Sequence, residues 1–144
     1  MAILSAEETF SSAQAITATA ASTNVIDFGA PGTWVQATTA LVDDKGVSSI
    51  PLMVQVTETF DNLTSLTIAV QQDNDVAFGS ATTVYTEVIA LADLVAGKKT
   101  AVRTIPYDTT ERYMRVNYTV TGTAPTAGAV TAAIASVESA FGAR

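Results

Sequence analysis

The sharpest alternation of apolar and polar positions in the chain lies between Tyr113 and Thr121. Met114, Val116, Tyr118 and Val120 fall on one side of an extended backbone, and Tyr113, Arg115, Asn117, Thr119 and Thr121 on the other. A period of two carried by β-branched and aromatic residues predicts a strand with one buried face, since a helix would scatter the same apolar side chains around its circumference. Two further stretches share the pattern. Leu52, Val54, Val56 and Phe60 alternate with Met53, Gln55, Thr57 and Thr59, with Glu58 breaking the apolar series, and Leu66, Ile68 and Val70 alternate with Thr67, Ala69 and Gln71. Asp61-Asn62-Leu63 joins these two, and so short a polar connection predicts an antiparallel hairpin.

Shorter extended runs fill the remainder. Residues 11–17 and 23–28 read as strands, the second with Ile26 and Phe28 on one face and ended by Gly29-Ala30-Pro31-Gly32. Residues 83–90 form another, in which Val84 and Val88 share a face with Thr86 and Ala90. Residues 99–105 return to strand until Pro106, and residues 131–137 make the last one, with Ala132 and Ile134 facing one way. Leu91, Leu94 and Val95 are spaced for a single helical turn that Gly97 stops. The expected fold is therefore all-β: a two-sheet antiparallel β-sandwich, a jelly roll of about eight strands with at most one short helical turn. An immunoglobulin-like sandwich shares the strand pattern but not its Cys…Trp…Cys mark. The chain divides into an N-terminal arm (1–10), the sandwich (11–138) and a C-terminal tail (139–144), without an internal repeat.

Composition narrows what such a sandwich can do. A chain of 144 residues is one ordinary domain with room for a core. Only 15% of the residues are charged, leaving much Thr-, Ser- and Ala-lined surface suited to meeting other protein. The net charge is −7 with seven basic residues, too few for a phosphate-tracking groove, so nucleic acid is set aside as a partner. Cysteine and histidine are both absent. That removes disulfides, thiolate and imidazole chemistry, Ser-His-Asp triads and most zinc sites, and no cofactor is expected. No run approaches the roughly 18 apolar residues of a membrane span, so no membrane partner is expected either. Met1-Ala2-Ile3-Leu4-Ser5-Ala6-Glu7-Glu8 lacks the basic start of a secretory signal. The expectation is a chain that works where it is made or is carried out as part of something larger.

Candidate chemistry is sparse. Paired carboxylates are the one common hydrolytic scheme open to this composition, yet no spacing among Asp27, Glu58, Glu87, Asp108 and Glu111 singles out a pair. Asp73-Asn74-Asp75 reads as an Asx-rich turn rather than a cation site, and Asp43-Asp44-Lys45-Gly46 as a polar loop without the spaced ligands of a calcium loop. Trp34, the single tryptophan, reads as a packing residue at a sheet end, with a sugar platform as the sharper alternative. Ile3, Leu4 and Phe10 give the arm an apolar character: either a frayed terminus or a segment that packs on a neighbouring subunit. Five of the seven basic residues lie between 98 and 115: Lys98, Lys99, Arg103, Arg112 and Arg115. If Lys99 and Arg103 sit on a strand beside Arg115, the three form a docking patch for an acidic partner; the plainer reading is cross-strand pairing with the protein's own acids.

The run from Phe10 to Gly29 resembles the opening of a capsid cement (decoration) protein family of tailed bacteriophages. Matching segments follow in order: Pro51-Leu52-Met53-Val54-Gln55-Val56, Leu66-Thr67-Ile68-Ala69-Val70-Gln71, Leu94-Val95-Ala96-Gly97, Glu111-Arg112-Tyr113-Met114-Arg115-Val116-Asn117-Tyr118 and Gly128-Ala129-Val130-Thr131-Ala132. The resemblance implies a jelly-roll virion protein without enzymatic activity. Such a protein is made in the bacterial host's cytoplasm and sits on the outer surface of an icosahedral head. It associates with itself as a homodimer or another homo-oligomer and bridges neighbouring major capsid proteins. The family has no catalytic residues to carry over. Ile3, Leu4, Phe10 and Trp34, with Lys99, Arg103 and Arg115, are the expected interface residues. The competing function is a carbohydrate- or receptor-binding jelly-roll module of a phage particle, which would need Trp34 and exposed tyrosines to form a flat aromatic platform.

Overall fold

Residues 8–29 and 50–134 are described by the computed structural model. They form strands β1 (Thr9–Ala15), β2 (Ala20–Ala21), β3 (Ile26–Asp27), β4 (Met53–Glu58), β5 (Leu63–Asp73), β6 (Thr82–Ala90), β7 (Tyr113–Gly122) and β8 (Ala129–Ala133). The helical content among them includes a single 3₁₀ turn at Leu91–Asp93, where the expected helical turn lies. Two antiparallel sheets result. One is three-stranded, in the order β1-β8-β4; the other is five-stranded, in the order β2-β7-β5-β6, with β3 pairing the same edge of β7 as β2.

Residues 98–105 extend the first sheet along the free edge of β4. Leu52 N–H donates to Arg103 O (2.9 Å), Val56 N–H to Lys98 O (2.7 Å) and Thr100 N–H to Val54 O (3.1 Å), with bridges Pro51–Thr104 and Gln55–Lys99. The segment is a run of bridges rather than the regular strand expected for 99–105. With β2 and β3 counted as two halves of the second position and 98–105 as the sixth, the sheets read 1-8-3-6 and 2-7-4-5. First pairs with eighth, second with seventh, third with sixth and fourth with fifth. That nesting is one long hairpin rolled up on itself, a jelly roll.

The two sheets close on each other because their inward faces carry the alternating apolar residues. Met114, Val116 and Tyr118 of β7, Leu66, Ile68 and Val70 of β5, Val54 and Val56 of β4, and Val130 and Ala132 of β8 are all buried in one cluster. Each face thus follows from sequence period, and burying it supplies most of the driving force for folding, at about 25 cal/mol per Å² of apolar surface. At the centre the Tyr118 hydroxyl meets Ser11 Oγ at 2.8 Å, a polar link between the sheets.

The expected hairpin between 52–60 and 63–71 does not form. β4 pairs with β8, and β5 with β7 and β6. Phe60 and Leu63, on either side of Asp61-Asn62, both point into the core, so the connection passes from one sheet to the other instead of folding back within one. Asn62 takes a left-handed φ of 65° to make the corner. Asp61 anchors it by accepting the backbone N–H of Thr126 (2.6 Å) and of Ala127 (2.9 Å). Connection length alone cannot distinguish a hairpin from such an inter-sheet corner.

Two smaller departures have local causes. In β6, Thr86, Val88 and Ala90 share the outward face as expected, but Val84 leaves them. Val70 pairs with Tyr85 and Gln71 with Thr83, which makes Val84 the extra residue of a bulge. β1 begins at Thr9, so Phe10, assigned above to the arm, is instead a fully buried core residue.

Candidate functional site

The outer face of the five-stranded sheet is almost without charge, exposed along β6 at Thr86 and Val88, half-buried at Thr67, Asn117 and Thr119, and buried at Ala69. Paired positions place Val88, Thr67 and Thr119 in one row across β6, β5 and β7, and Thr86, Ala69 and Asn117 in the next. Ala90, Ser65 and Thr121 form a third row at one end, and Thr83, Gln71 and Arg115 a fourth at the other. Short β-branched and hydroxyl side chains suit a pleated surface. They also have little rotamer entropy to lose when another protein covers them.

Arg115, the one basic side chain in these rows, is already engaged. Its Nε donates to Gln71 Oε1 (2.9 Å), and its guanidinium lies 4.4 Å from the centre of the Phe78 ring. Phe78 is delivered by the turn after β5, whose acids serve the backbone. Asp73 accepts from the N–H of Asp75 (3.0 Å) and of Ser80 (2.8 Å), and Asp75 from that of Ala77 (3.0 Å). The Asx-rich reading of Asp73-Asn74-Asp75 is what the structure shows, and those N–H groups hold the Asp73 carboxyl below the ordinary carboxylate range.

The basic patch expected from Lys99, Arg103 and Arg115 is not assembled. Lys99 and Arg103 lie on the 98–105 edge of the first sheet, whereas Arg115 stands on the outer face of the second. The rolled topology puts β5 and the β2–β3 edge beside β7, never 98–105. Arg103 donates to Thr100 O in its own segment. Arg112 follows the plainer reading and makes a two-pronged ion pair with Asp27, Nε to Oδ1 at 2.8 Å and the second nitrogen to Oδ2 at 2.9 Å. Phe10 is enclosed in the core and has no surface to offer; Ile3, Leu4 and Trp34 lie outside the described residues.

The Arg112 pair carries a measurable consequence. Hydrogen bonds from Arg112, and then from Gly29 N–H, hold the Asp27 carboxyl at about 2 against an ordinary 3.8. A carboxylate depressed on folding contributes its stability above the ordinary value and loses it as pH falls toward the folded one. Both partners are solvent-exposed, so the effect on stability is small. The titration itself is the clear readout. In Arg112→Ala, the Asp27 midpoint followed by NMR is expected to move up toward 3.8; an unchanged midpoint would assign the depression to Gly29 N–H alone.

Two of the other candidate acids are employed by the fold. Glu58 accepts Gly128 N–H (3.1 Å), and Glu87 accepts the Tyr85 hydroxyl (2.9 Å) and Ala101 N–H (3.0 Å). Burial and the neighbouring Glu87 push the Tyr85 phenol up to about 12. Among the described residues no group of three or more acids is placed to hold a metal ion, and no helix is long and apolar enough to cross a membrane.

The aromatic platform of the competing reading finds few members. Tyr118 is buried, Tyr113 lies beneath the Arg112 guanidinium at 5.0 Å, and Tyr107 is 71% exposed in the loop before β7. That loop is held by a residue sequence reading passed over. Buried Gln72 accepts the N–H of Thr110 (2.8 Å) and of Glu111 (3.1 Å) and donates to Asp108 O (2.7 Å). A polar residue on the inward side of an otherwise apolar strand was the available signal.

A family model, Bbp16, matches residues 10–134, nearly the whole chain. The chain belongs to this phage-related family. No curated protein matches it.

Proposed function

We propose that this Bbp16 family member is a capsid cement protein. It attaches as a homodimer to the outside of an icosahedral phage head and bridges neighbouring major capsid proteins. It performs no enzymatic step. The observation that carries this reading is the outer face of the five-stranded sheet, whose rows Val88-Thr67-Thr119 and Thr86-Ala69-Asn117 hold no charge on a chain of net charge −7. A surface of that kind can be covered by protein without stranding a charge away from water. An acidic exterior is compatible with a position outside a DNA-filled shell.

Bridging relaxes what each contact must supply. A dimer held by one capsomer presents its second site at high effective concentration, which strengthens attachment by about 10²–10⁴ without any new contact. Three of the acids a hydrolase could draw on are instead engaged, Asp27 by Arg112, Glu58 by Gly128 N–H and Glu87 by Tyr85 and Ala101 N–H, which supports a structural role.

The test is direct. Purified protein mixed with undecorated heads and imaged by electron microscopy is expected to occupy regular lattice positions on the outer surface. Replacing Thr67 and Thr119 together by Glu, which brings negative charge into the uncharged rows, is expected to empty those positions. Heads left bare at saturating protein would sink the cement reading, and unchanged occupancy by the double variant would remove the outer face from it.

A further inference from the structure

The chain has seven basic residues against fourteen acids, and the basic ones are not used alike. Arg112 is joined to Asp27 by both prongs of its guanidinium. Arg115 is stacked on Phe78 and bonded to Gln71. Lys98, Lys99 and Arg103 instead lie together on the 98–105 edge of the first sheet. At about 3.3 Å per residue, extended backbone keeps the three within about 17 Å. Among the described residues neither lysine ammonium makes a hydrogen bond or an ion pair, and Arg103 donates only to Thr100 O. Arg103 is exposed and the lysines are half-buried.

Lysine on a sheet edge commonly serves to keep other strands away. This edge is already closed to them by other means. Its register along β4 slips by one residue between the Gln55–Lys99 and Pro51–Thr104 bridges, and Pro106 follows. The Ala101 N–H is taken by Glu87 of β6 at 3.0 Å, and Glu87 also accepts the Tyr85 hydroxyl. With that one carboxylate set against three cations, the strip keeps two positive charges. The backbone beneath it is anchored: Thr100 is buried, its N–H on Val54 O, and Val102 packs on the core. The cations are thus presented on a fixed support, which lowers the cost of ordering them around a partner.

We infer that the 98–103 strip is a docking site for an acidic segment of another protein, whose carboxylates meet Lys98, Lys99 and Arg103 side chain to side chain rather than through a strand ladder. The partner's class follows from charge and extent. A strip this short offers no track for a row of phosphates, and the rest of a chain of net charge −7 repels a polyanion. A few carboxylates on a protein surface match its length and leave the remaining acids of the chain outside the contact. This deepens the cement reading and rests on it only for the partner's identity: a head protein would set acids against this edge.

The test begins without heads. A fluorescently labelled oligoglutamate peptide, followed by anisotropy at low salt, is expected to bind the purified chain. It should leave as sodium chloride is added, because exposed charge pairs are screened. Lys98→Gln/Lys99→Gln/Arg103→Gln is expected to bind it about tenfold more weakly, three exposed pairs each being worth a small factor, with an unchanged β-type circular dichroism spectrum. Should that variant fail to fold, Lys98→Gln/Lys99→Gln, which removes no side-chain contact of the fold, carries the test with a loss of about fivefold. Wild-type protein that ignores the peptide, or folded glutamine variants that hold it as tightly, would overturn the inference. So would equal binding of an oligothymidylate of the same charge, which marks unselective attraction of anions. Peptide binding that appears only in Asp43→Asn/Asp44→Asn would also overturn it, returning the strip to the chain's own acids. Bare heads beside a strip that binds the peptide would sink the cement reading and keep this one; decorated heads without peptide binding would do the reverse.

Discussion

Replacing Gly128 with alanine is expected to destabilise the protein by about 2–6 kcal/mol, combining the 1–3 of overpacking with the 1–3 of a strained backbone. Gly128 has a φ of 134°, where side chains are disfavoured, and a Cβ there would sit 2.3 Å from Phe60 Cδ1. Phe60 has nowhere to retreat, being buried at the corner where the chain changes sheets. The glycine itself is tied on both sides, its N–H to Glu58 and its carbonyl to Ile16 N–H at 3.0 Å. By the usual scaling of unfolding temperature with stability, the midpoint falls by roughly 4–24 °C. Gly29→Ala is the control. Gly29 has a φ of 84° but nothing within 4 Å of the added carbon, so only backbone strain of about 1 kcal/mol applies. Thermal melts of the two variants separate steric closure from φ preference; equal losses would show that the Phe60 contact is irrelevant.

Tyr118→Ala is expected to cost about 3–5 kcal/mol, in the range of other large aromatic truncations in cores. Tyr118 is among the largest fully buried side chains, and it stands midway along the strand flanked by β5 and β2. Tyr118→Phe keeps the ring and removes only the hydroxyl, so the expected loss is about 0.5–1.5 kcal/mol, the net worth of one buried hydrogen bond. Which group donates can be read from the neighbours. Ser11 gives its proton to Gln14 Oε1 at 2.7 Å, so the Tyr118 hydroxyl donates to Ser11. Burial raises the Tyr118 phenol well above its ordinary value, and it keeps its proton throughout the stable range. Ser11→Ala should therefore cost more than Tyr118→Phe, because it strands the phenol proton and frees Gln14, which also accepts from Thr23. Denaturant unfolding of the three variants orders them; a serine variant milder than the phenylalanine one would contradict the assignment of donor.

These two sites explain why so little of the chain is spare chemistry. Gln14, Ser22, Asp61, Gln72 and Asp73 each occupy a position where the roll bends or changes sheets and satisfy backbone groups that no ladder reaches. Buried donors and acceptors must be paired somewhere. A jelly roll has many corners, so its polar residues are consumed by architecture.

What this chain determined through its sequence alone was its local periodicity. The alternation at 114–120, 52–56 and 66–70 assigned three strands and the faces they bury, because a pleated backbone turns successive side chains to opposite sides whatever it is paired with. The Asx turn at 73–75, the helical turn at 91–93 and the all-β class were legible for the same reason: each depends on neighbours within a few residues. Pairing was not legible. Only the tertiary structure decided that Asp61-Asn62 is a corner between sheets, that Phe10 belongs to the core, and that Lys99 and Arg103 stand apart from Arg115. Those outcomes depend on which strands meet across many tens of residues, and a strand's own pattern specifies which face is buried without naming its partner.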